Sequence, residues 1–380
     1  MQVPFTKEMQ SSGSSDRAAC ADRRRSTGRD AAFVRLMAYA RTYDGPGFSA
    51  DLTALFRHQL AACALAEGEL CVCITDTAWM PAYAAACSAA AGALGARTVQ
   101  VTFGWNTAPD AGALGAVCAA ADLIVYMTSH PLHYRPEVGD ALARGARVLC
   151  CMEPPHVLDR LRFDPDVRDR AIAGATLLDA ASRIHISSPA GTDITMDKRG
   201  RRGLAAYGVA DAPGHLDFWG LGAVQAAQIE GTAEGTIVLD VGDCLFHLAR
   251  FVEAPVRIRI EAGRIAAIEG GLDAFLLREA LTAAGDDGAW RAGHMAWGVD
   301  HRARWTQPLV QTPDTGGGGA DVESFSGTVQ VQFGSNDDVA FGGHNRSRAH
   351  LGLCLRSATL CLDGTPVVSQ GRSVDTASPV

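Results

Sequence analysis

The sequence predicts a two-domain chain, an N-terminal parallel α/β sheet domain followed by a C-terminal α+β domain with mixed, largely antiparallel sheet. Three observations predict it. A length of 380 residues exceeds what one ordinary core organises. Between Leu70 and Met152, short apolar segments alternate with Ala-rich ones, the pattern of a parallel sheet covered by helices on both faces. After Ser188 the repeats shorten and alternate with Gly turns, which indicates antiparallel pairing.

Residues 1–30 are polar and rich in Ser and Arg without an apolar h-region, so they read as a disordered extension rather than a signal peptide. In the first domain, residues 31–188, Ser49 and Asp51 can cap a helix over Leu52–Ala66, where Leu52, Leu55, Phe56, Gln59, Leu60 and Cys63 recur at helical spacing. Strands follow at Leu70–Thr75, Arg97–Phe103, Asp122–Met127 and Arg147–Met152. Helices intervene at Pro81–Gly95, Ala111–Ala121 and Pro136–Arg144. A helix over Asp166–Ala181 and a strand at Arg183–Ser187 complete the domain. Ligands of such sheets gather at the carboxyl ends of strands, here Asp76-Thr77, Trp105-Asn106, His130 to His133 and Glu153. No Gly-rich phosphate motif follows the first strand, which argues against nucleotide chemistry.

In the second domain, residues 189–370, Pro189 to Pro213 reads as a loop or hairpin. Thr236–Val241, Val256–Ile260 and Arg264–Glu269 read as strands, and Leu272–Ala284 as a helix. Gly327–Phe333 and Ala349–Leu355 are further strands, with Thr359–Leu362 pairing back. Gln311 to Ala320, with its glycines at 316–319, suits a lid, and residues 371–380 read as a disordered tail.

Hydrophobic residues at 47% and charged residues at 20% fit a globular chain. A net charge of −8 without an offsetting basic patch argues against a nucleic-acid partner. No apolar run approaches the ~20 residues of a membrane helix. Of the eleven cysteines, Cys71, Cys73, Cys150, Cys151 and Cys354 lie in apolar strand-like runs, and CVC and CC lack the spacing of zinc or redox motifs. The expectation is a reducing cytoplasm.

Four constellations carry chemistry. Gly293-His294-Met295-Ala296-Trp297-Gly298 holds a histidine between glycines, either a ligand or a packed ring. On a strand through His350, the side chains of His350, Gly352, Cys354 and Arg356 share one face, backed by Leu351, Leu353 and Leu355, as in a pocket wall. Glu234, before the strand TIVLDV, is either a ligand or base or a solvated turn residue. His130 and His133, at a sheet end, can supply an acid or base across a cleft.

These residues resemble a known family. RVLCCMEPPHVLDRL from Arg147, AGTDI (Ala190–Ile194), YGVADAPG (Tyr207–Gly214), AEGTIVLDVGD (Ala233–Asp243), GHMAWGVDHRARW (Gly293–Trp305) and GGHNRSRAHLGLCLR (Gly342–Arg356) are similar to the 2,5-dihydroxypyridine 5,6-dioxygenases, in a clan shared with the thermophilic leucyl aminopeptidases. The similarity is collinear from about Leu70 to Leu362. It implies an enzyme that uses mononuclear non-haem Fe(II), or another divalent metal, and O2 to oxidise or open a small hydroxylated aromatic or heteroaromatic ring. It also implies a homo-oligomer. The family's two metal-binding histidines fall on His294 and His350, and an acid/base histidine falls on His133, with His130 beside it.

Departures from the pattern are as informative. The family's aspartate ligand, two residues after the second histidine, is Gly352 here. A pocket glutamate is Ala206 and a pocket histidine is Phe218, which speaks against 2,5-dihydroxypyridine itself as substrate. Glycine offers neither a ligand nor the anion that favours Fe(II). Cys354 or His344 is then a replacement donor, or the position is left to water, anion or substrate, or the metal is lost. Gly352, Ser335 and Arg356 are expected to line the substrate pocket. A metal-dependent hydrolase or lyase, with Glu234 as the clan's glutamate, is the alternative, and a catalytically altered binding protein is another.

Overall fold

The computed structural model describes residues 46–78, 81–104, 108–129, 131–305, 319–337 and 341–374. The expected N-terminal extension, Trp105-Asn106, His130 and all of the expected lid but Gly319 and Ala320 lie outside the described residues. The described residues from Leu52 to Val374 form a single compact unit.

The parallel sheet forms as the alternating pattern predicts. Its strand order is Arg97–Phe103, Leu70–Asp76, Leu123–Met127, Arg147–Cys150 and Leu216–Phe218. The central strand Leu123–Met127 is buried throughout, whereas Arg97–Phe103 is a largely exposed edge. The helix Pro81–Ala93 presents Tyr83, Ala84, Cys87, Ala90 and Ala91 inward, and its small side chains let it lie close to the sheet. Asp110 caps Ala111–Ala120 by accepting from the Ala113 N–H at 2.8 Å. The last strand, Leu216–Phe218, comes from the second half of the sequence. Arg183–Ser187, assigned above to the first domain, pairs instead with Asp193–Asp197 and Thr359–Leu362 in an antiparallel sheet.

Two antiparallel sheets make up the rest. The eight-stranded one contains Glu234–Leu239 and Val256–Glu261. The seven-stranded one runs in the order Arg250–Phe251, Cys244–Leu245, His350–Leu355, Val329–Gly334, Ala292–Gly298, Ala223–Ala227 and Leu204–Ala206. Ile194, Ile237 and Ile258 of the first and Met295, Val331 and Leu353 of the second share one apolar core with the helix Pro165–Ala180. Leu351, Leu353 and Leu355 point into it, so the alternate residues of that strand face the other way. Truncating Leu353 to Ala would cost about 2–5 kcal/mol and loosen the wall on which the opposite face stands.

Several elements escape the sequence pattern. Ala223–Ala227 (AVQAA) and Ala292–Gly298 (AGHMAWG) are strands built largely from small residues with weak strand preference. Pro155–Arg160 forms a short helix with proline at its start. The order expected to end at 371 continues, because Arg372 and Ser373 pair with Ser369 and Val368. Cys71, Cys73, Cys150, Cys151 and Cys354 are buried and free. No described helix is long and apolar enough to cross a membrane.

Candidate metal centre

The seven-stranded sheet turns its second face toward the carboxyl end of the parallel sheet, and histidines converge there. His294 lies opposite Gln332, which lies opposite Gly352 on the next strand, so the three residues form a row across neighbouring strands. His350 is two residues from Gly352 on the same face, and its ring centroid lies 5.2 Å from that of His294. A register shift between Ala292 and His294 marks a bulge at Gly293. There an added Cβ would come within 2.9 Å of the Gly334 carbonyl oxygen, so glycine is what lets the bulge aim His294. Phe341 stacks on the His294 ring at 4.4 Å and covers one of its faces.

A third imidazole, absent from the sequence reading, stands beside these two. The pairing of Cys244–Leu245 with Leu353–Cys354 stops one residue short of Gly352, and the chain turns into the 3-10 segment Phe246–Leu248. Ala249, in the left-handed region at φ 49°, closes that turn. His247 thereby lies with its ring centroid 5.2 Å from that of His350, and its Nδ1 accepts the Gly352 N–H at 2.9 Å. A Cβ at 352 would sit 3.3 Å from the Phe246 Cβ, so glycine also makes room for the turn. FHLAR matches no ligand motif; only the long-range pairing of Cys244 with Cys354 brings His247 here.

The parallel sheet contributes the opposite wall. Asp76, at a strand end, accepts from the backbone N–H and the hydroxyl of Ser129 and so pins the loop that follows Met127. That loop carries His133, whose Nδ1 is 2.6 Å from the Tyr126 hydroxyl. Tyr134 packs on His133 at 4.0 Å and places its hydroxyl 3.5 Å from His350 Nδ1. Phe218 meets His133 edge-on at 5.1 Å, and Ala206 is buried.

Other sequence-nominated residues fall elsewhere. The Glu234 carboxylate accepts the Ala262 N–H at 2.8 Å, across a turn of the other antiparallel sheet. The His344 N–H is held by Glu230 in an outer loop. Cys354 is buried in an apolar cluster with Cys244, Phe246 and Val322. Arg356 lies exposed beyond the strand end, with its guanidinium 6.0 Å from the Trp305 ring. Ser335 pairs its hydroxyl with Asp337 at 2.6 Å, and its backbone hydrogen-bonds His350. Glu153 is tied to the Gly319 and Ala320 N–H groups at 2.8 and 3.0 Å, the start of a short helix. Glu323, likewise unforeseen, lies beside Gln332 with its carboxylate 3.4 Å from the amide nitrogen.

Electrostatically the site favours neutral rings. Burial pushes His133 down to about 3 and His350 down to about 4, with His350 also acting on His133 and the Ser335 backbone opposing the His350 shift. His247 and His294 are held well below the ordinary histidine value by burial and then by neighbouring histidines. Burial also raises Glu323 to about 8. Neutral imidazoles are the form that binds metal. His294 Nδ1 is buried with no hydrogen-bond partner among the described residues, an orphan that a metal ion would satisfy. Metal–nitrogen bonds of about 2.1 Å put adjacent ligand rings about 5 Å apart centre to centre, which the His294–His350 pair meets. The donor set of imidazoles suits Fe, Zn, Cu or Ni. No choice of one nitrogen from each of His247, His294 and His350 brings all three within 4.8 Å of one another, a spacing that the buried thiols of Cys71, Cys73 and Cys87 do reach.

Known proteins resemble this chain in sequence and in fold. The family model for 2,5-dihydroxypyridine 5,6-dioxygenase matches residues 51–375. The 2,5-dihydroxypyridine 5,6-dioxygenase of Pseudomonas putida strain KT2440 is 34% identical over 252 residues, covering 66% of this chain and 71% of that protein. The solved structure of 2,5-dihydroxypyridine dioxygenase from Pseudomonas putida KT2440 superposes with a TM-score of 0.80 at 30% identity, covering 86% of this chain and 98% of that one. Wild-type AmpT from Thermus thermophilus shares the fold, with a TM-score of 0.58 at 14% identity over 86% of this chain and all of its own.

Proposed function

Because the chain belongs to the 2,5-dihydroxypyridine 5,6-dioxygenase family, we propose that it binds a divalent metal, iron(II) first, through His294 and His350 and oxidises or ring-opens a small hydroxylated aromatic or heteroaromatic compound with O2. The observation that carries the reading is the His294–His350 pair, 5.2 Å apart on one sheet face, neutral and facing the His133 loop. When bound, iron(II) supplies the electrons and open coordination positions that O2 chemistry needs.

The chain's own residues do the rest. Neutral His294 and His350 offer lone pairs without first losing a proton, and the Ser335 backbone orients His350. His133, neutral and tied to the Tyr126 hydroxyl, takes or gives a proton at its ring on the substrate side. Phe341 shields His294 from water. Phe218 gives the wall beside His133 an apolar edge, and Ala206 has no polar group, so neither offers the hydrogen bonds that a pyridinediol would use. The substrate is therefore a ring compound other than 2,5-dihydroxypyridine. A hydrolase on this frame needs Glu234 at the metal, and that carboxylate is engaged at Ala262.

The test is metal content of anaerobically purified protein, with His294→Ala and His350→Ala beside wild type. O2 uptake against catechols, aminophenols and hydroxypyridines follows. Expected are about one equivalent of metal in wild type, its loss in both variants, and O2 uptake with at least one class. Wild type that takes up no Fe(II), Mn(II) or Zn(II) would end the proposal.

A further inference from the structure

We infer that His247 serves this site as a neutral Nε2–H hydrogen-bond donor to an anionic, phenolate-type oxygen of the substrate, standing where the family's carboxylate ligand would otherwise be. The inference rests on the function proposed above and names the chemistry of the group its substrate presents.

A backbone N–H can only donate, and the Gly352 N–H points at His247 Nδ1 from 2.9 Å. Nδ1 must therefore keep its lone pair, and in the neutral ring the proton resides on Nε2. A ring in that tautomer has no free lone pair for a metal, because its one bare nitrogen is already occupied. It presents an N–H. Among the described residues no hydrogen-bond partner meets that Nε2, although His247 is half-buried and lies beside His350.

Gly352 creates this arrangement twice over. The ladder from Cys244–Leu245 ends at Leu353, which leaves the Gly352 N–H unpaired on that edge and available to the imidazole. The missing Cβ also leaves space for Phe246, whose own Cβ would be only 3.3 Å away. An aspartate at 352 would place an anion next to His294 and His350 and crowd the turn that carries His247. Replacing it by glycine removes the anion and brings in a donor. A site that has exchanged an anion for an N–H is complementary to a ligand that brings its own negative oxygen.

The experiment uses Co(II)- or Fe(II)-loaded full-length protein, with bound metal measured directly and 4-nitrocatechol as the anionic probe, titrated optically. His247→Ala is expected to keep bound metal within about twofold of wild type and to weaken 4-nitrocatechol about 10–100-fold, the worth of a hydrogen bond to a charged acceptor. His247→Gln, which keeps an N–H at similar reach, should recover most of that loss. His350→Ala should lose metal by more than about 100-fold, since even supporting residues of metal sites are worth 10–100-fold. Unchanged probe affinity in His247→Ala refutes the inference while leaving the metal site standing. Loss of metal in both His247 variants also refutes it, by making His247 a ligand. Wild type that takes up no metal refutes the proposed function and this inference with it.

Discussion

Gly352→Asp is the substitution with the most to reveal, because the strand register sets its consequences in two directions. Gly352 lies opposite Gln332, which lies opposite His294, and is two residues from His350 on the same face. The new carboxylate would therefore emerge beside His350 on the sheet face that also carries His294. Its Cβ would press on the Phe246 Cβ at 3.3 Å and on the Gln332 side chain at 3.5 Å. Contacts that tight require neighbours to give by tenths of an ångström, an overpacking cost of about 1–3 kcal/mol. For a unit of this size that is a fall of roughly 1–5 °C in the melting temperature of metal-free protein. With metal the sign reverses. A third, anionic ligand should tighten Fe(II) or Co(II) by at least about 100-fold, and saturating metal at 100 times Kd adds about 2.7 kcal/mol to the folded state. The assay is chelator competition for affinity and calorimetry with and without metal. Metal affinity unmoved by the new carboxylate would mean that position 352 does not face the ion, and the sheet-face argument would fail.

Three further outcomes follow from the same geometry. His133→Ala should lower kcat by about 100-fold or more in an O2-uptake assay while bound metal stays at wild-type level, because the proposed function uses His133, beside Phe218 and Tyr126, to move protons and not to hold metal. Phe218→His should raise kcat/KM for 2,5-dihydroxypyridine relative to the best catechol by at least about 10-fold, by putting a polar group on a wall now apolar. Burial lifts Glu153 to about 7, above its unfolded carboxylate value, so its contribution to stability is complete in acid and is lost as pH rises through about 7. Glu153→Gln should accordingly show a shallower decline in melting temperature between pH 5 and pH 8 than wild type does, and equal slopes would contradict the assignment.

What the sequence makes legible here is whatever depends on local pattern. Arg97–Phe103, Arg264–Glu269 and Thr359–Leu362 are delimited by alternation and glycine alone, and the Ala-rich helices by their neighbours. Leu351, Leu353 and Leu355 announce which face of the His350 strand is dry, and hence which is available to a ligand. The strand that carries His294 is harder to read, because AGHMAWG is set by two close backbone approaches, Gly293 to Gly334 and Gly298 to Phe325, rather than by β-branched residues. His247 is not legible at all. It acquires its place through Cys244–Cys354 pairing across the sheet and through a side chain that is missing at 352. Glu234 is the reverse case: the sequence leaves it open between a ligand or base and a solvated turn residue, and the hairpin return puts the Ala262 N–H against its carboxylate.

The charge of the site leads to a last expectation. His133, His247, His294 and His350 are all neutral near pH 7, and the nearby Glu323 is raised to about 8, so it holds its proton there as well. A divalent ion at His294 and His350 would bring two positive charges to a face whose histidines are neutral. Opposite charges about 4 Å apart attract by about 4 kcal/mol at an effective dielectric of 20, so an anionic ligand beside the ion contributes on the scale of a whole coordinating carboxylate. Binding of ion and anion must then be coupled, and by linkage each tightens the other by the same factor. The apparent Kd for Co(II) should fall by at least about 10-fold in saturating 4-nitrocatechol, and the probe's Kd should fall equally when Co(II) is present. In Gly352→Asp, where the protein itself supplies the anion, the coupling should shrink. If it is as large in that variant as in wild type, the missing carboxylate is not what the substrate's charge replaces.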